Sequence, residues 1–302
     1  MSAPESLPMG LVRDMPAERY HAIHAMSAGG LKRMKQSPAH FYGMQLDPNK
    51  PAEKDSKARA NGTLTHCLLL EPHEFDARFT VVPDDAPTRP SVRQRKAAKP
   101  SDATVAAIAW WDAFNAANAG KIIVEPEQLA AAKAQAAAVR AVPDLAALLA
   151  DGYGEASAFW IDPETGELCK CRPDWTSPAG GGVILVDGKT CQDASPEGFG
   201  RAIWNMDYHL QAAWYSDGFE AATGLRVHGF VFAAVESAWP HVAAPYMLGD
   251  DVLEAARREN RRLLNRYAEC KRSGVWPGYA PAIQLINLPA WAQRQLQEGT
   301  EA

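Results

Sequence analysis

The sequence predicts an α/β (α+β) fold: a mixed central sheet flanked by helices, with a helical N-terminal part. Two observations support this prediction. Helical signals predominate in the first 150 residues, and after Gly152 the pattern changes to short apolar runs that are typical of strands. A chain of 302 residues is long enough for one large domain or two ordinary ones. We expect one compact domain, in which residues 1–150 supply the helical part and residues 151–302 the core.

Helices are predicted at several places in the first 150 residues. Ser27 and Ser37 each precede a helical segment, and serine is a preferred residue at the position that caps a helix N-terminus. A further helix is expected over Leu64–Leu70. The stretch 128–150 is rich in alanine, the residue with the highest helix propensity, so we expect it to be helical with a break at Pro143.

Residues 83–102 differ from their surroundings because they are rich in proline and poor in apolar residues. No acidic residue lies between positions 86 and 100. The basic residues of this segment are Arg89, Arg93, Arg95, Lys96 and Lys99. This composition predicts an exposed, mobile basic loop.

Strands are predicted after Gly152, interleaved with helices. A turn at residues 162–166 separates two apolar runs, which predicts a hairpin, and a continuous apolar run indicates a buried central strand. The predicted elements are the hairpin strands Glu155–Ile161 and Leu168–Arg172, a flexible loop Pro178–Gly182, the buried strand Val183–Val186, a helix Phe199–Phe219, an apolar strand Gly229–Val235 and a basic helix Arg257–Arg272.

The composition is that of an ordinary globular protein, with 47% hydrophobic and 22% charged residues. No apolar run approaches the roughly 18 residues of a membrane span, and residues 1–10 lack the basic and apolar regions of a signal peptide. We therefore expect a soluble, cytoplasmic protein. The net charge of −5 excludes a uniformly basic DNA-coating protein but not a nucleic-acid enzyme. Five cysteines without paired spacing predict reduced thiols rather than disulfides or a zinc site.

Two aspartates and a lysine are the most informative candidates for chemistry. Asp174 follows one predicted strand and Asp187 ends the buried one, so their carboxylates can hold a hard divalent cation. Lys189 is two residues beyond Asp187, which in a strand places both side chains on one face. These groups are those needed for phosphodiester hydrolysis. The alternative is that charged residues simply end strands near turns.

A phosphate-binding P-loop can be excluded. Gly188-Lys189-Thr190 matches the end of that motif, but its first glycine would have to be at position 183, which is valine. The four residues before Asp187 are apolar and predict a strand, which has no free backbone amides for a nucleotide.

Gln211, Tyr215 and His66 have two interpretations each. Gln211 and Tyr215 are four residues apart on one predicted helix face, where they can support metal ligands or contact a DNA phosphate. They also fit an amphipathic packing face. His66 is a single histidine on an apolar helix, where a satisfied core histidine is the alternative to a ligand.

The combination of these residues, in this order, resembles a known family. The matching segments are Ser37-Pro38-Ala39-His40-Phe41, Gly62-Thr63-Leu64-Thr65-His66-Cys67, Leu70-Glu71-Pro72, Glu155-x-Ser157-x-Phe159-Trp160, Thr165-Gly166, Cys171-Arg172-Pro173-Asp174, Asp187-Gly188-Lys189-Thr190, Tyr208-His209-x-Gln211-x-Ala213-x-Tyr215, Glu236, Pro240 and Trp276-Pro277-Gly278-Tyr279. From about Tyr20 to Trp291 the chain resembles the C-terminal nuclease domain of phage-type exodeoxyribonuclease VIII (RecE), in the PD-(D/E)XK (restriction-endonuclease-like) superfamily.

The resemblance implies an activity. It implies a Mg²⁺-dependent exonuclease, with Mn²⁺ as a substitute, that digests linear double-stranded DNA from 5′ to 3′ and leaves 3′ single strands for recombination. The implied partners are double-stranded DNA ends, a RecT-like single-strand annealing protein and further copies of the chain in a homo-oligomeric ring. The implied location is the cytoplasm of a bacterial host, with a phage or prophage origin. A DNA endonuclease and a catalytically inactive DNA-binding protein are the alternatives.

The resemblance also implies residue roles. These are the metal ligands His66, Asp174, Asp187 and the carbonyl of Gly188; the catalytic residues Lys189, Asp187 and Asp174, supported by Gln211 and Tyr215; and Glu155 beside the ligands. The position of Gly188 usually holds a bulky aliphatic residue, and glycine loosens a strand there. Phosphate contacts are expected from the basic loop and the basic helix, whose candidates are Arg89, Arg93, Arg95, Lys96, Arg258 and Arg262. The alternative for both basic segments is a solvated face.

Overall fold

The computed structural model describes residues 9–51 and 57–298. The predicted absence of a signal peptide concerns residues 1–10, most of which lie outside this range. The helices are α1 (Ala17–Ala22), α2 (Ala28–Gln36), α3 (Pro38–Phe41), α4 (Lys57–Leu70), α5 (Phe75–Arg78), α6 (Val92–Arg95), α7 (Asp102–Ala117), α8 (Pro126–Ala141), α9 (Pro143–Ala150), α10 (Pro196–Asn205), α11 (Tyr208–Thr223), α12 (Asp250–Ser273) and α13 (Ala290–Glu298). The strands are β1 (Gly10–Val12), β2 (Phe79–Val81), β3 (Ile122–Val124), β4 (Tyr153–Gly154), β5 (Ser157–Ile161), β6 (Leu168–Cys171), β7 (Trp175–Ala179), β8 (Gly182–Cys191), β9 (Val227–Glu236) and β10 (Ala243–Met247).

A five-stranded mixed sheet organises the chain, in the order β10-β9-β8-β7-β4. Its central pair, β8 and β9, is parallel, and the other neighbours are antiparallel. The hairpin β5–β6 belongs to a second sheet with β1, and β2 pairs with β3 in a third. The predicted mixed sheet flanked by helices is therefore confirmed.

Strand β8 is longer than the sequence predicts. The apolar run Val183–Val186 is buried in the sheet as expected, but pairing with β9 continues to Cys191. Asp187 lies opposite Phe232 and Lys189 opposite Ala234 within this ladder. Asp187 is therefore inside the central strand rather than at its end, and its backbone is held by a continuous ladder.

Helices cover both faces of the main sheet. On one face, Leu185 and Phe232 join an apolar core with residues of α2, α11 and α12. On the other face, Val186 and Val231 pack against residues of α4, α8 and α9. Because side chains alternate along a strand, Asp187 and Lys189 face the first helical layer, whereas Gly188 faces α4.

The helix starts at Ser27 and Ser37 are confirmed. The hydroxyl of Ser27 accepts from Gly30 N at 3.2 Å, and that of Ser37 accepts from His40 N at 3.2 Å. The break at Pro143 is also confirmed, since α8 ends at Ala141 and α9 begins at Pro143. The helix predicted over Leu64–Leu70 begins earlier, at Lys57.

Three predicted boundaries are wrong for backbone reasons. The helix expected over 199–219 is two helices, because Asp207 has a left-handed backbone with φ of 53° and separates α10 from α11. The loop expected over 178–182 is a short turn at Gly180 and Gly181 between paired strands. Glu155, with φ of 53°, lies outside strand β5, which begins at Ser157.

The basic loop contains structure of its own. Helix α6 lies within it and starts with a capping box between Ser91 and Gln94. Helix α7 follows directly and was absent from the sequence prediction. The side chains of residues 91–100 are exposed, as expected.

Two global expectations can be compared with the structure. The five cysteines are free thiols, in agreement with their spacing. Among the residues described, no helix has the length and apolar character needed to cross a membrane.

Candidate active site

The two aspartates meet where β7 begins beside β8. Trp175, the first residue of β7, lies opposite Val186, so Asp174 and Asp187 occupy the next adjoining positions. Beside them is an open cleft of about 590 Å³ that is lined by residues from α4, β8 and α11. The sequence prediction that separate β-segments bring these carboxylates together is consistent with this register.

His66 joins this site from α4. Its Nε2 lies 2.9 Å from Asp174 Oδ2, and its Nδ1 lies 3.4 Å from Glu155 Oε1. One ligand atom from each of these three residues falls within 4.8 Å of the others, a spacing that can hold a metal ion. The left-handed backbone at Glu155 occurs at this cluster, which the sequence pattern did not reveal.

The charges of this cluster favour a cation. Burial would lower the pKa of His66, but the charge and hydrogen bond of Asp174, together with Glu155 and Asp187, raise it to about 9. Burial and the nearby Asp174 charge raise the pKa of Glu155. Carboxylate oxygens and an imidazole nitrogen are both common ligands of divalent metal ions in proteins. The donor set therefore fits a divalent cation.

Asp187 is the most buried of the acidic groups, with 1% of its side chain exposed. Its Oδ2 pairs with the ammonium of Lys189, and its Oδ1 accepts a hydrogen bond of 2.7 Å from Gln211 Nε2. Burial, followed by repulsion from Asp174, raises the pKa of Asp187 to about 6. Burial opposes the charge of Lys189, but Asp187 and Asp174 outweigh it and raise the pKa of the ammonium.

Comparison with family models places most of the chain in one family. The family model described as a PDDEXK-like domain of unknown function (DUF3799) matches residues 27–289, which is most of the chain. The chain belongs to the DUF3799 family. This assignment confirms the PD-(D/E)XK relationship that the sequence motifs predict, whereas the narrower exodeoxyribonuclease VIII relationship stays a prediction.

Two solved structures match the chain to different extents. The crystal structure named "Putative exonuclease" from Eubacterium rectale is 13% identical, with a TM-score of 0.57, and the match covers 94% of this chain and 98% of that one. The structure of SSO0001 is 14% identical, with a TM-score of 0.26, over 53% of this chain and 79% of that one. At such low identity the first likeness shows the fold alone. No curated protein matches the chain.

Most of the predicted site residues of this PDDEXK-like domain come together. His66, Glu155, Asp174, Gly188 and Lys189 line the cleft, Asp187 pairs with Lys189, and Gln211 donates a hydrogen bond to Asp187. Glu155, which we expected only beside the ligands, belongs to the three-residue cluster, and Asp187 does not. Glu155 and Asp187 are both candidate ligands.

Tyr215 occupies a different environment. Its ring packs edge-on against Phe230 with the centroids 6.1 Å apart, and it borders the apolar core. Burial raises the pKa of its hydroxyl well above the ordinary value, and that hydroxyl has no hydrogen-bond partner within the described part of the chain. Its supporting role stays a prediction.

Two contributors to the site had no predicted role. Arg172 pairs with Glu155 and donates a hydrogen bond of 2.8 Å to Met15 O, which fixes the acidic side chain against the N-terminal segment. Tyr208 places its ring 4.8 Å from Lys189 Nζ. Arg172 immediately precedes Pro173-Asp174, and this adjacency was the available sequence signal.

The predicted DNA-binding residues are on the surface, but some already have partners. Arg89 stacks over the ring of Trp111 at 3.9 Å, and Arg95 contacts Asp112 at 3.1 Å. On α12, Arg262 binds Glu259 through two nitrogens at 2.7 and 2.8 Å. Arg93, Lys96 and Arg258 are exposed. All six DNA contacts stay predictions.

Proposed function

We propose that this PDDEXK-like protein is a divalent-metal-dependent exodeoxyribonuclease that degrades linear double-stranded DNA from 5′ to 3′. The observation that supports this function best is the pairing of Lys189 with the buried Asp187, beside the cluster of His66, Glu155 and Asp174. A cluster of carboxylates and an imidazole can bind a metal ion without catalysing a reaction. An ammonium held at its edge by a buried carboxylate supplies the charge that phosphodiester hydrolysis needs.

A divalent cation in this site, when bound, would make a water molecule more acidic and stabilise negative charge on phosphate oxygens. His66, Asp174 and either Glu155 or Asp187 would hold it, with the carbonyl of Gly188. Mg²⁺ is the proposed ion and Mn²⁺ the substitute, because the donors are mainly carboxylate oxygens.

The residues of β8 and α11 would act on the phosphate directly or through one another. Lys189 Nζ lies beside the cleft, where it would donate a hydrogen bond to a non-bridging phosphate oxygen as negative charge develops. Asp187 Oδ2 orients this ammonium, and Gln211 Nε2 holds the opposite oxygen of the same carboxylate at 2.7 Å. Gln211 is therefore a positioning residue in this proposal.

The direction of digestion and the partners depend on the resemblance to exodeoxyribonuclease VIII. By that resemblance the protein would leave 3′ single strands for a RecT-like annealing protein and would work as a homo-oligomeric ring on DNA ends. The Eubacterium rectale structure carries the name "Putative exonuclease", which agrees with this class of activity. By the same resemblance, the enzyme would be encoded by a phage or prophage and would act in the cytoplasm of the bacterial host.

A degradation assay with defined DNA ends tests the proposal. A linear duplex labelled separately on each 5′ and 3′ end should be lost with Mg²⁺, from the 5′ end first, and should survive with a chelator. A covalently closed circular duplex should stay intact, and its cleavage would instead show an endonuclease.

Asp187→Asn and Lys189→Met should abolish the degradation of the linear duplex, with folding retained. Degradation by either purified variant at the wild-type rate would refute the site, and binding without any degradation would indicate an inactive DNA-binding protein.

A further inference from the structure

Lys32, on α2, has an unusual electrostatic environment next to the candidate site. It lies one turn before Lys35, whose ammonium pairs with Asp207. Lys32 is only partly exposed, yet no carboxylate oxygen of the described residues lies within 4.0 Å of its ammonium. Its close partner is the ring of Tyr208, with Nζ 5.0 Å from the centroid.

The ring of Tyr208 connects Lys32 to the catalytic lysine. Lys189 Nζ lies 4.8 Å from the same ring centroid, so two ammonium groups share one aromatic ring. Tyr208 itself lines the cleft. Among the described residues, the one carboxylate within 4.0 Å of either ammonium is that of Asp187, and it is paired with Lys189. The positive charge of Lys32 is therefore left without a close counter-ion, beside a ring that lines the cleft.

Burying an ammonium without a counter-ion costs free energy, because the charge loses hydration. Burial, followed by repulsion from Lys189, lowers the pKa of Lys32 to about 8, which agrees with this environment. Helix α2 cannot easily shift to move Lys32 away from the Tyr208 ring and into solvent. Leu31 and Met34, on either side in the sequence, are fully buried in the core shared with α11 and α12.

From this geometry we propose that Lys32 binds a phosphate oxygen of the DNA strand in the cleft, as a second cation beside Lys189. The inference rests on the proposed function, since it specifies how the same cleft holds its substrate. The ligand is an anionic phosphate oxygen, which an internal phosphodiester and a terminal 5′-phosphate both offer. An anion supplies the missing counter-ion and offsets the cost of burying the ammonium.

The test measures DNA binding without cleavage. A short fluorescent duplex is titrated with wild-type protein, Lys32→Met, Lys32→Arg and the control Lys35→Met, in Ca²⁺ and at several NaCl concentrations. Lys32→Met should weaken binding about tenfold and lower the slope of log K against log salt by about one, because one phosphate contact is lost. Lys32→Arg should restore most of the affinity, and Lys35→Met, which removes an ammonium already paired with Asp207, should leave the slope unchanged.

Thermal unfolding of the same variants separates binding from a structural role. Lys32→Met should be as stable as the wild type or more stable, because it removes a buried charge that lacks a counter-ion. Weaker binding with lower stability would indicate a structural lysine and overturn the inference. Wild-type affinity and slope in Lys32→Met would also overturn it.

Two duplexes that differ at the 5′ end show which phosphate Lys32 binds. The degradation assay distinguishes a failure of this inference from a failure of the proposed function. Duplexes with a 5′-hydroxyl and a 5′-phosphate should show the same loss if Lys32 binds an internal phosphodiester, and a loss confined to the phosphorylated duplex would identify the terminal phosphate. Wild-type protein that degrades DNA while Lys32→Met binds normally would overturn this inference alone. Wild-type protein without affinity for duplex DNA would overturn both.

Discussion

The backbone N–H of Gly188 donates a hydrogen bond of 2.8 Å to Asp174 Oδ2. The central strand therefore fixes a carboxylate of the candidate metal cluster through its main chain, independently of the side chain at position 188. This contact contributes to the lowered pKa of Asp174, for which burial is outweighed mainly by His66. The glycine that departs from the usual aliphatic residue thus keeps a defined role in orienting the cluster.

Gly188→Ala should stabilise the protein without loss of DNA degradation. A Cβ at this position would lie 3.8 Å from Asp174 Oδ2 and 3.9 Å from His66 Cδ2, which are ordinary contacts. Alanine keeps the N–H and reduces the conformational entropy of the unfolded chain, so the free energy of unfolding should rise by about 0.5–1 kcal/mol. Urea unfolding measures the first effect, and the linear-duplex assay the second.

Gly182→Ala, in the same strand, is the matched control for this substitution. Its Cβ would lie 2.2 Å from the backbone oxygen of Arg226, which cannot be relieved by a side-chain rotation. We expect a loss of about 1–3 kcal/mol, as for other overpacked positions. If both variants changed the free energy of unfolding in the same direction, the room for a Cβ at position 188 would not explain the effect of Gly188→Ala.

The sequence was sufficient to predict the parts of the site that depend on strand periodicity. Asp187 and Lys189 share one face because they are two residues apart in a strand, and this holds even though β8 continues beyond its apolar run. The strand end was misplaced because the paired polar residues 187–191 look like a loop by composition, and the ladder with β9 is a tertiary feature.

Contacts between distant segments could not be predicted in the same way. The proximity of Glu155 to His66 depends on a left-handed backbone at Glu155, for which a non-glycine residue gives no sequence signal. The break at Asp207 between α10 and α11 has the same cause. The resemblance supplied His66 and Gln211 as site residues, but Lys32 was not among the predicted residues, because its position depends on how α2 packs against α11.

Gln211→Ala should reduce catalysis, whereas Tyr215→Phe should not. Gln211 is bonded to the buried Asp187, and removal of its amide leaves an acceptor oxygen without that donor. A lost hydrogen bond to a charged group corresponds to about 1.5–3 kcal/mol, so we expect kcat to fall by about tenfold to a hundredfold. The hydroxyl of Tyr215 has no hydrogen bond to lose among the described residues. Single-turnover degradation rates compare the two, and an equal loss in Tyr215→Phe would show that its hydroxyl acts in the reaction.

Glu155→Gln should weaken metal binding. Its Oε1 lies 3.4 Å from His66 Nδ1 in the three-residue cluster, and the substitution removes the negative charge at nearly constant size. Calorimetric titration with Mn²⁺ should show an affinity about tenfold to a hundredfold lower, whether Glu155 binds the ion or orients a ligand. Glu164→Gln, at an exposed turn, is the control. An unchanged Mn²⁺ affinity would remove Glu155 from the candidate site.

Arg93→Ala should weaken DNA binding more than Arg95→Ala. Both residues lie on the short helix α6 of the basic loop, but the guanidinium of Arg95 is paired with Asp112 at 3.1 Å. Arg93 has no such partner among the described residues, so its charge is available for a phosphate. The salt slope of duplex binding should fall by about one for Arg93→Ala and by less for Arg95→Ala. Wild-type slopes in both variants would show that this loop does not contact DNA.

The pair of Asp162 and Arg261 should control acid stability. Asp162 is 3% exposed and accepts hydrogen bonds of 2.7 and 2.8 Å from the guanidinium. Burial raises the pKa of Asp162, but Arg261 and Thr165 outweigh it and lower the pKa to about 2. A lowered folded-state pKa stabilises the protein above the unfolded value of about 3.9, and this stabilisation is lost as the pH falls towards 2.

Asp162→Asn should therefore lose stability at pH 7 and should fall less steeply in acid. The shift of Asp162 corresponds to about 2–3 kcal/mol at neutral pH, which the neutral amide cannot supply. Urea unfolding between pH 7 and pH 2 measures the difference, and the gap from the wild type should narrow below about pH 4. Glu164→Gln removes a second partner of Arg261, but its side chain is 61% exposed, so it should change stability by less than about 1 kcal/mol. If the curves of Asp162→Asn and the wild type stayed parallel through this range, the ionised carboxylate of Asp162 would not be the source of the stability.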